Sequence, residues 1–272
     1  MNKKTLQSFF AILLITTLTL AACTPSAAPT PEPAQETSPT EAPPEPTSES
    51  EPIEEPAPAF EPVELVDALG NEVTVDTQPE RIVSLAPSIT ETLYAIGAGD
   101  LLVGRTDYDN YPEEVLDLPS VGGFATDAIS IETIVSLEPD LVIGGSTLQG
   151  EVMDALNESG IPSVTFERNS VQGIIDLMLL LGKATGRQES AEAAVAELET
   201  RLNEVATVVE TIPEEERVTV FYEVWHEPLM TTTNQTYIGE LINLAGGTNI
   251  FADLEEIYPS VSAETIIEAN PD

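Results

Sequence analysis

Two stretches of this 272-residue chain repeat one another in the same order. Ile89, Glu91 and Gly97 spell I-x-E-x5-G, and SIETIVSLEPD follows at 130–140. Ile238, Glu240 and Gly246 spell the same pattern, and SAETIIEANPD follows at 262–272. An apolar run that reads as a strand precedes each Ile-x-Glu helix, so the halves share an order of elements as well as two motifs. Two similar α/β lobes joined by a long helix is the simplest architecture that fits such a repeat.

Hydrophobic patterning fills in that architecture. Strands are expected at 81–85, 101–104, 141–143, 163–166 and 218–225, and helices at 89–96, 131–137 and 152–156. Strands separated by helices imply right-handed βαβ units and a parallel sheet. The segments 171–181 and 190–210 read as longer helices, the second carrying Val195, Leu198, Leu202, Val205 and Val209 near the spacing of one face. Gly122-Gly123, Gly144-Gly145 and Gly246-Gly247 lack the spacing of a phosphate-binding loop and read as turns and helix caps.

At about 100° per residue, Ile89, Leu93 and Ile96 share a helix face with Glu91 roughly opposite, and Ile238, Ile242 and Ala245 do the same for Glu240. Each lobe thus presents an outward carboxylate near the start of an equivalent helix. Ser88 and Glu91 also spell a capping box, in which the carboxylate only satisfies a backbone N–H. That alternative weakens at Glu240, where Tyr237 stands in place of the Ser or Thr.

The amino-terminal region speaks to compartment. Residues 1–22 open with Lys3 and Lys4, continue through an uncharged apolar run and end on Leu20, Ala21 and Ala22 before Cys23. This is a secretory signal peptide, its apolar part too short to span a bilayer stably. Cys23 closes a sequence that resembles the lipobox of bacterial lipoproteins; an incidental thiol is the alternative. It is the only Cys of the chain, so no intramolecular disulfide can form. Residues 24–62 hold 12 of the 22 Pro and nine Glu, with no Lys or Arg. Such a segment cannot bury enough apolar surface to offset its ordering entropy and reads as an extended tether, either a spacer or a tail serving solubility. After Pro62, 39 acidic residues face seven basic ones, which argues against nucleic acid as a partner.

The stretches RIVSLAPSITETLYAIGAGDLLVG at 81–104, DYDNYPEEV at 107–115 and SIETIVSLEPDLVIGG at 130–145 resemble the substrate-binding proteins of cobalamin and ferric-siderophore ABC importers. ELINLAGGTNIF at 240–251 and YPSVSAETIIEANPD at 258–272 extend the resemblance, which is strongest to the cobalamin-binding members. It implies an α/β fold of two Rossmann-like lobes, parallel central sheets flanked by helices, joined by one long rigid helix with the ligand in the cleft between. The chain then divides into a leader at 1–22, an anchor Cys with its tether at 23–62, an amino-terminal lobe at 63–185, a linking helix at 186–212 and a carboxyl-terminal lobe at 213–272. The resemblance also implies a monomeric, lipid-anchored extracytoplasmic protein, not an enzyme and without a catalytic cofactor. Its cargo would be a metal chelate, cobalamin or another corrinoid, with ferric siderophore or heme as the alternative, handed to the membrane subunits of an ABC transporter. Glu91 matches the family's first docking glutamate. Glu240 takes the second by internal symmetry, although cobalamin-binding relatives can carry that acid one turn later, at Asn243.

Open α/β sheets bind ligands where loops leave the carboxyl ends of strands. That rule points to Pro87 and Ser88, Tyr108 and Phe124, and Gly145 and Ser146 in the first lobe, and to Trp225, His226 and Tyr258 in the second. Rigid aromatics suit a large flat ligand with a polar fringe, although each could equally pack in a core. The resemblance places aromatic contacts at Tyr108 and Phe124, and a Trp in some relatives where Gly145 stands. A direct zinc or manganese receptor needs several His or mixed ligands, and His226 is alone. It is open to serve as an axial ligand or as an ordinary hydrogen-bonded residue. With no second candidate base, nucleophilic catalysis lacks its partners, which leaves a surface enzyme or sensor on the same fold as the third reading. Pro139 and Asp140 lead at once into the strand LVIG while nothing follows Pro271 and Asp272, so the second lobe is expected to lack a strand and a closing helix.

Overall fold

The computed structural model describes residues 60–272. The leader, Cys23 and the tether up to residue 59 lie outside the described residues. The first elements are a hairpin that hydrophobic patterning does not disclose, β1 (Val63–Val66) paired antiparallel with β2 (Glu72–Val75). Asp67 turns the corner, its Oδ1 accepting hydrogen bonds from the backbone N–H of Leu69 at 2.9 Å and of Asn71 at 2.8 Å. Val63, Leu65 and Val75 alternate inward and join the main apolar core.

Four parallel strands follow, β3 (Ile82–Ser84), β4 (Leu102–Gly104), β5 (Leu141–Gly144) and β6 (Ser163–Thr165), in the spatial order β4-β3-β5-β6. Alternate residues of each strand face opposite sides. Ile82 and Ile143 pack with Ile89 and Leu93 of α1 (Pro87–Ala95) and Leu177 and Leu181 of α4 (Val171–Ala184). Val83 and Val142 pack with Ile134 of α2 (Ile131–Ser136) and Val152, Met153 and Leu156 of α3 (Gly150–Glu158). Covering both faces is what makes these strands read as continuous apolar runs.

The linking helix is α5 (Gln188–Val209), 22 residues or about 33 Å long. Ala191 and Val195 are buried in the main core and Leu198 and Leu202 pack against it, whereas Val205 is exposed and lies off that seam. At its far end Val209 meets Gly246 in the second lobe so closely that a Cβ there would sit 3.1 Å from Val209 Cγ1. The described second lobe holds α6 (Tyr237–Leu244), α7 (Ala263–Ala269) and a parallel pair, β7 (Thr219–Val220) and β8 (Thr248–Asn249). The strand expected at 218–225 is therefore only two residues long. Its sole described neighbour, β8, is equally short, and the chain then folds back so that Met230 N–H donates to Trp225 O at 2.8 Å.

The repeat turns out to encode a stop signal and a clamp. Ser130 Oγ caps α2 by accepting from Thr133 N–H at 3.1 Å, and Ser262 Oγ caps α7 by accepting from Thr265 N–H at 3.2 Å. Glu138 and Asn270 then take left-handed φ values of 48° and 47°, ending each helix before Pro. The following Asp bonds back to the start of its lobe's first core strand. Asp140 accepts from the backbone N–H of Glu80 at 2.9 Å and Arg81 at 3.1 Å, and Asp272 accepts from that of Thr219 at 2.8 Å.

Candidate ligand cleft

A cavity of about 670 Å³ opens at the carboxyl ends of β3, β5 and β6, where an open parallel sheet leaves room for a ligand. The first lobe supplies Ser88, Glu91 and Thr92 from the first turns of α1, and Tyr111 and Phe124 from the loops after β4. It also supplies Gly145 and Ser146 after β5, Phe166 and Arg168 after β6, and an apolar wall of Ile174, Leu177 and Met178 from α4. Tyr237, the first residue of α6, and Tyr258 close it from the second lobe. Apolar and aromatic walls with a few polar groups are the usual make-up of a small-molecule site of this size.

One buried side chain fixes three of these loops together. Gln149 has no exposed surface; its Oε1 accepts from Gly145 N–H at 3.0 Å while its Nε2 donates to Leu85 O at 2.7 Å and Phe124 O at 3.2 Å. Thr165 Oγ1 adds a bond to Ser146 O at 2.7 Å. Gly145 itself is held tight, since a Cβ on it would lie 2.5 Å from Ala86 Cβ. Burial, with Tyr237, Glu167 and Tyr222 nearby, raises the Tyr258 phenol above its ordinary pKa, so it enters the cleft as a neutral hydrogen-bonding group.

Of the residues picked out by sequence, Ser88, Phe124, Gly145, Ser146 and Tyr258 line this cavity, and Pro87 stands beside it as the first residue of α1 without lining it. Tyr108 does not: it sits in a turn closed by Thr106 N–H donating to Asp109 Oδ2 at 2.9 Å, and Tyr111, comparably exposed, takes the aromatic place at the cavity. Trp225 is 62% exposed, because the Trp225–Met230 fold-back turns its indole outward to donate to Glu227 O at 3.0 Å. His226 follows it out, its side chain 87% exposed beside Glu223, and it does not line this cavity. Tyr111, Phe166, Arg168 and Tyr237 escaped sequence reading. For Phe166 and Tyr237 the signal was present, as the end of one strand and the start of a repeat helix.

The two repeat glutamates part company. Helix α1 begins after Ala86 with Pro87 in its first turn, so Ser88 is not its cap and the capping-box alternative fails. Glu91 is exposed at the rim of the cavity. Glu240 is half-buried, and its Oε2 accepts from Val171 N–H, the first amide of α4, at 2.7 Å. The expectation of an outward carboxylate thus holds for Glu91 and not for Glu240, because α6 abuts the amino end of α4 and the local positive potential there draws the carboxylate in.

Comparisons with known proteins agree with this geometry. A family model described as periplasmic binding protein matches residues 82–272. An ABC transporter substrate-binding lipoprotein of Bacillus subtilis, YvrC, is 33% identical over 215 residues, covering 77% of this chain and 67% of that protein. A cobalamin-binding protein of Halobacterium salinarum is 31% identical over 211 residues; the match covers 76% of this chain and spans 56% of that relative's length. Among solved structures, the periplasmic vitamin B12 binding protein BtuF of Vibrio cholerae superposes with a TM-score of 0.62 at 31% identity, over 71% of this chain and 74% of that one.

Proposed function

The chain belongs to the periplasmic binding protein family, and from that premise we propose that it captures a metal chelate, a corrinoid such as cobalamin, in the cleft between its lobes and hands it to an ABC importer. The observation that carries this reading is the cavity itself. It is built at the strand ends from both lobes, is large enough for a bulky flat guest, and is lined by Tyr111, Phe124, Phe166, Tyr237 and Tyr258 with amide-compatible hydroxyls at Ser88 and Ser146. The relatives named for cobalamin or vitamin B12 support the corrinoid over other chelates. Ferric siderophore or heme is the second reading, favoured by three tyrosines at the cavity, whose rings can pack on a flat chelate and whose phenols can hydrogen-bond its rim.

On this reading Cys23 carries the lipid anchor, residues 24–62 act as the tether, and Glu91 at the exposed rim meets a membrane subunit. Direct calorimetry on the full chain with cyanocobalamin, dicyanocobinamide, hemin and an iron-loaded siderophore tests the ligand class. Saturable one-to-one binding to a corrinoid is expected, and heat from none of the four ends the chelate reading. Glu91→Ala is expected to leave that binding within about twofold while abolishing stimulation of transporter ATPase activity, because rim charges set orientation more than affinity.

A further inference from the structure

The folded region is strongly acidic, so its arginines should find carboxylates or carbonyls, and most do. Arg187 pairs with Asp100 at 2.8 Å, Arg201 pairs with Glu197, Arg81 Nε donates to Leu137 O at 3.0 Å, and Arg105 Nη1 donates to Thr106 O at 2.7 Å. Arg168 is different. It lines the ligand cavity, forms no ion pair among the described residues, and makes a single long hydrogen bond from Nη1 to Glu167 O at 3.4 Å. Its Nε is shielded from solvent without a partner. Arg105 Nε and Arg217 Nε share that condition, but neither residue lines the cavity.

Packing holds this guanidinium in place. It stacks over the Phe166 ring at 5.1 Å from the centroid, a contact that orients a planar cation while leaving its edge free to donate. Gly173, in the first turn of α4, gives the stem room: even a Cβ there would lie 3.2 Å from Arg168 Cδ. Two acids also line the cavity: Glu167 is exposed and accepts from Thr147 Oγ1 at 2.9 Å, and Glu91 sits at the rim. A desolvated donor with no acceptor is costly, and a planar fork is suited to receive a carboxylate or phosphate.

We infer that Arg168 is the anion-recognition residue of the cleft, and that the guest carries a peripheral carboxylate or phosphate which completes it. This rests on the metal-chelate reading and narrows it to chelates with an oxyanion on their rim. The test compares paired probes on the full chain by calorimetry: cyanocobalamin against dicyanocobinamide, which lacks the phosphodiester, and hemin against hemin dimethyl ester, which lacks free carboxylates. In whichever pair binds, the wild-type chain should prefer the anionic member by about tenfold or more, the scale of one charge-assisted bond. Arg168→Met should reduce that preference to within about threefold, and Arg168→Lys should retain part of it. The preference should also shrink with added salt in the wild type and not in Arg168→Met.

Circular dichroism checks that each variant is folded, and Arg168→Lys decides the matter if Arg168→Met is not. Equal wild-type affinity within a bound pair, or a preference undiminished by substitution of Arg168, overturns the inference and leaves the chelate reading standing. Failure of the wild type to bind any of the four overturns the inference, and failure to bind an iron-loaded siderophore as well sinks the chelate reading too.

Discussion

Replacing Glu240 tests the contact that breaks the internal symmetry. Its carboxylate meets the first amide of α4 at 2.7 Å in a half-buried setting, and hydrogen bonds to a charged partner contribute about 1.5–3 kcal/mol. Partial exposure places this one in the lower half of that range, and the helix dipole is already part of the same attraction. Glu240→Ala should therefore destabilise the chain by about 2 kcal/mol, or about 4–8 °C in melting temperature for a folded region of this size. Glu240→Gln keeps an acceptor but loses the charge, and about 1 kcal/mol is expected. The partner can be removed independently, because Val171 is the first residue of α4 and Ser170 before it is extended, with φ −146° and ψ 157°. Proline is tolerated at that position and takes away the N–H. In the Val171→Pro background, Glu240→Ala should cost less than about 0.5 kcal/mol. Urea unfolding of the four chains in the cycle reads this out; an equal cost in both backgrounds would refute the proposed pairing.

Other outcomes follow from the cavity walls. Gly145→Ala should lower stability by about 1–3 kcal/mol through overpacking against Ala86, and Ala86→Gly should recover part of it in a denaturation cycle. Gln149→Leu leaves the buried Leu85 carbonyl and Gly145 amide without their partner and should lower the urea midpoint by an amount worth about 2–4 kcal/mol. Trp225→Phe should leave chelate affinity within about twofold while Tyr111→Ala weakens it about tenfold or more, measured by calorimetry, because only Tyr111 faces the cavity. Tyr258 is raised above 10.0, so Tyr258→Phe should remove a late-ionising phenol from an ultraviolet pH titration. A raised folded-state value means that the stability owed to the neutral phenol is present below its ordinary range and lost as pH climbs through the folded value.

The first lobe was legible because its signals are local and redundant. Residues 81–104 announce a buried strand, a helix and a second strand by apolar runs punctuated with glycine, and the structure places β3, α1 and β4 there within two residues. The β1–β2 hairpin was not legible: each strand is four residues long and only three of its apolar residues are buried, too few for a periodic signal. The strand at 218–225 failed for the opposite reason. Its residues favour β structure, yet only Thr219 and Val220 join a ladder and Trp225 adds one isolated bridge to Met230 among the described residues, and strand formation depends on pairing as well as propensity. Site residues followed the same divide. Strand-end positions such as Ser88, Gly145 and Ser146 are fixed by topology, whereas Tyr108 against Tyr111 turns on one Asp-closed loop that spacing does not encode. Gln149 was invisible because nothing marks a buried amide as bonding Leu85, 64 residues earlier.

Glu91 and Glu240 occupy the same place in the sequence repeat, yet they start from different energies. Glu91 is an exposed carboxylate at the cavity rim, so pairing with an arginine of a membrane subunit would remove it only from water. Glu240 would first have to release Val171 N–H, giving up about the 2 kcal/mol that Glu240→Ala is expected to cost. On the proposed docking, two acids placed by repetition would therefore not contribute equally. The first lobe should supply most of the electrostatic attachment, and capture of Glu240 would weaken the contact between α6 and α4, which meets the cleft wall formed by Ile174 and Leu177. The same Glu91→Ala and Glu240→Ala chains separate these roles. The Glu91 variant should lose transporter stimulation at unchanged melting temperature, and the Glu240 variant should lose melting temperature first.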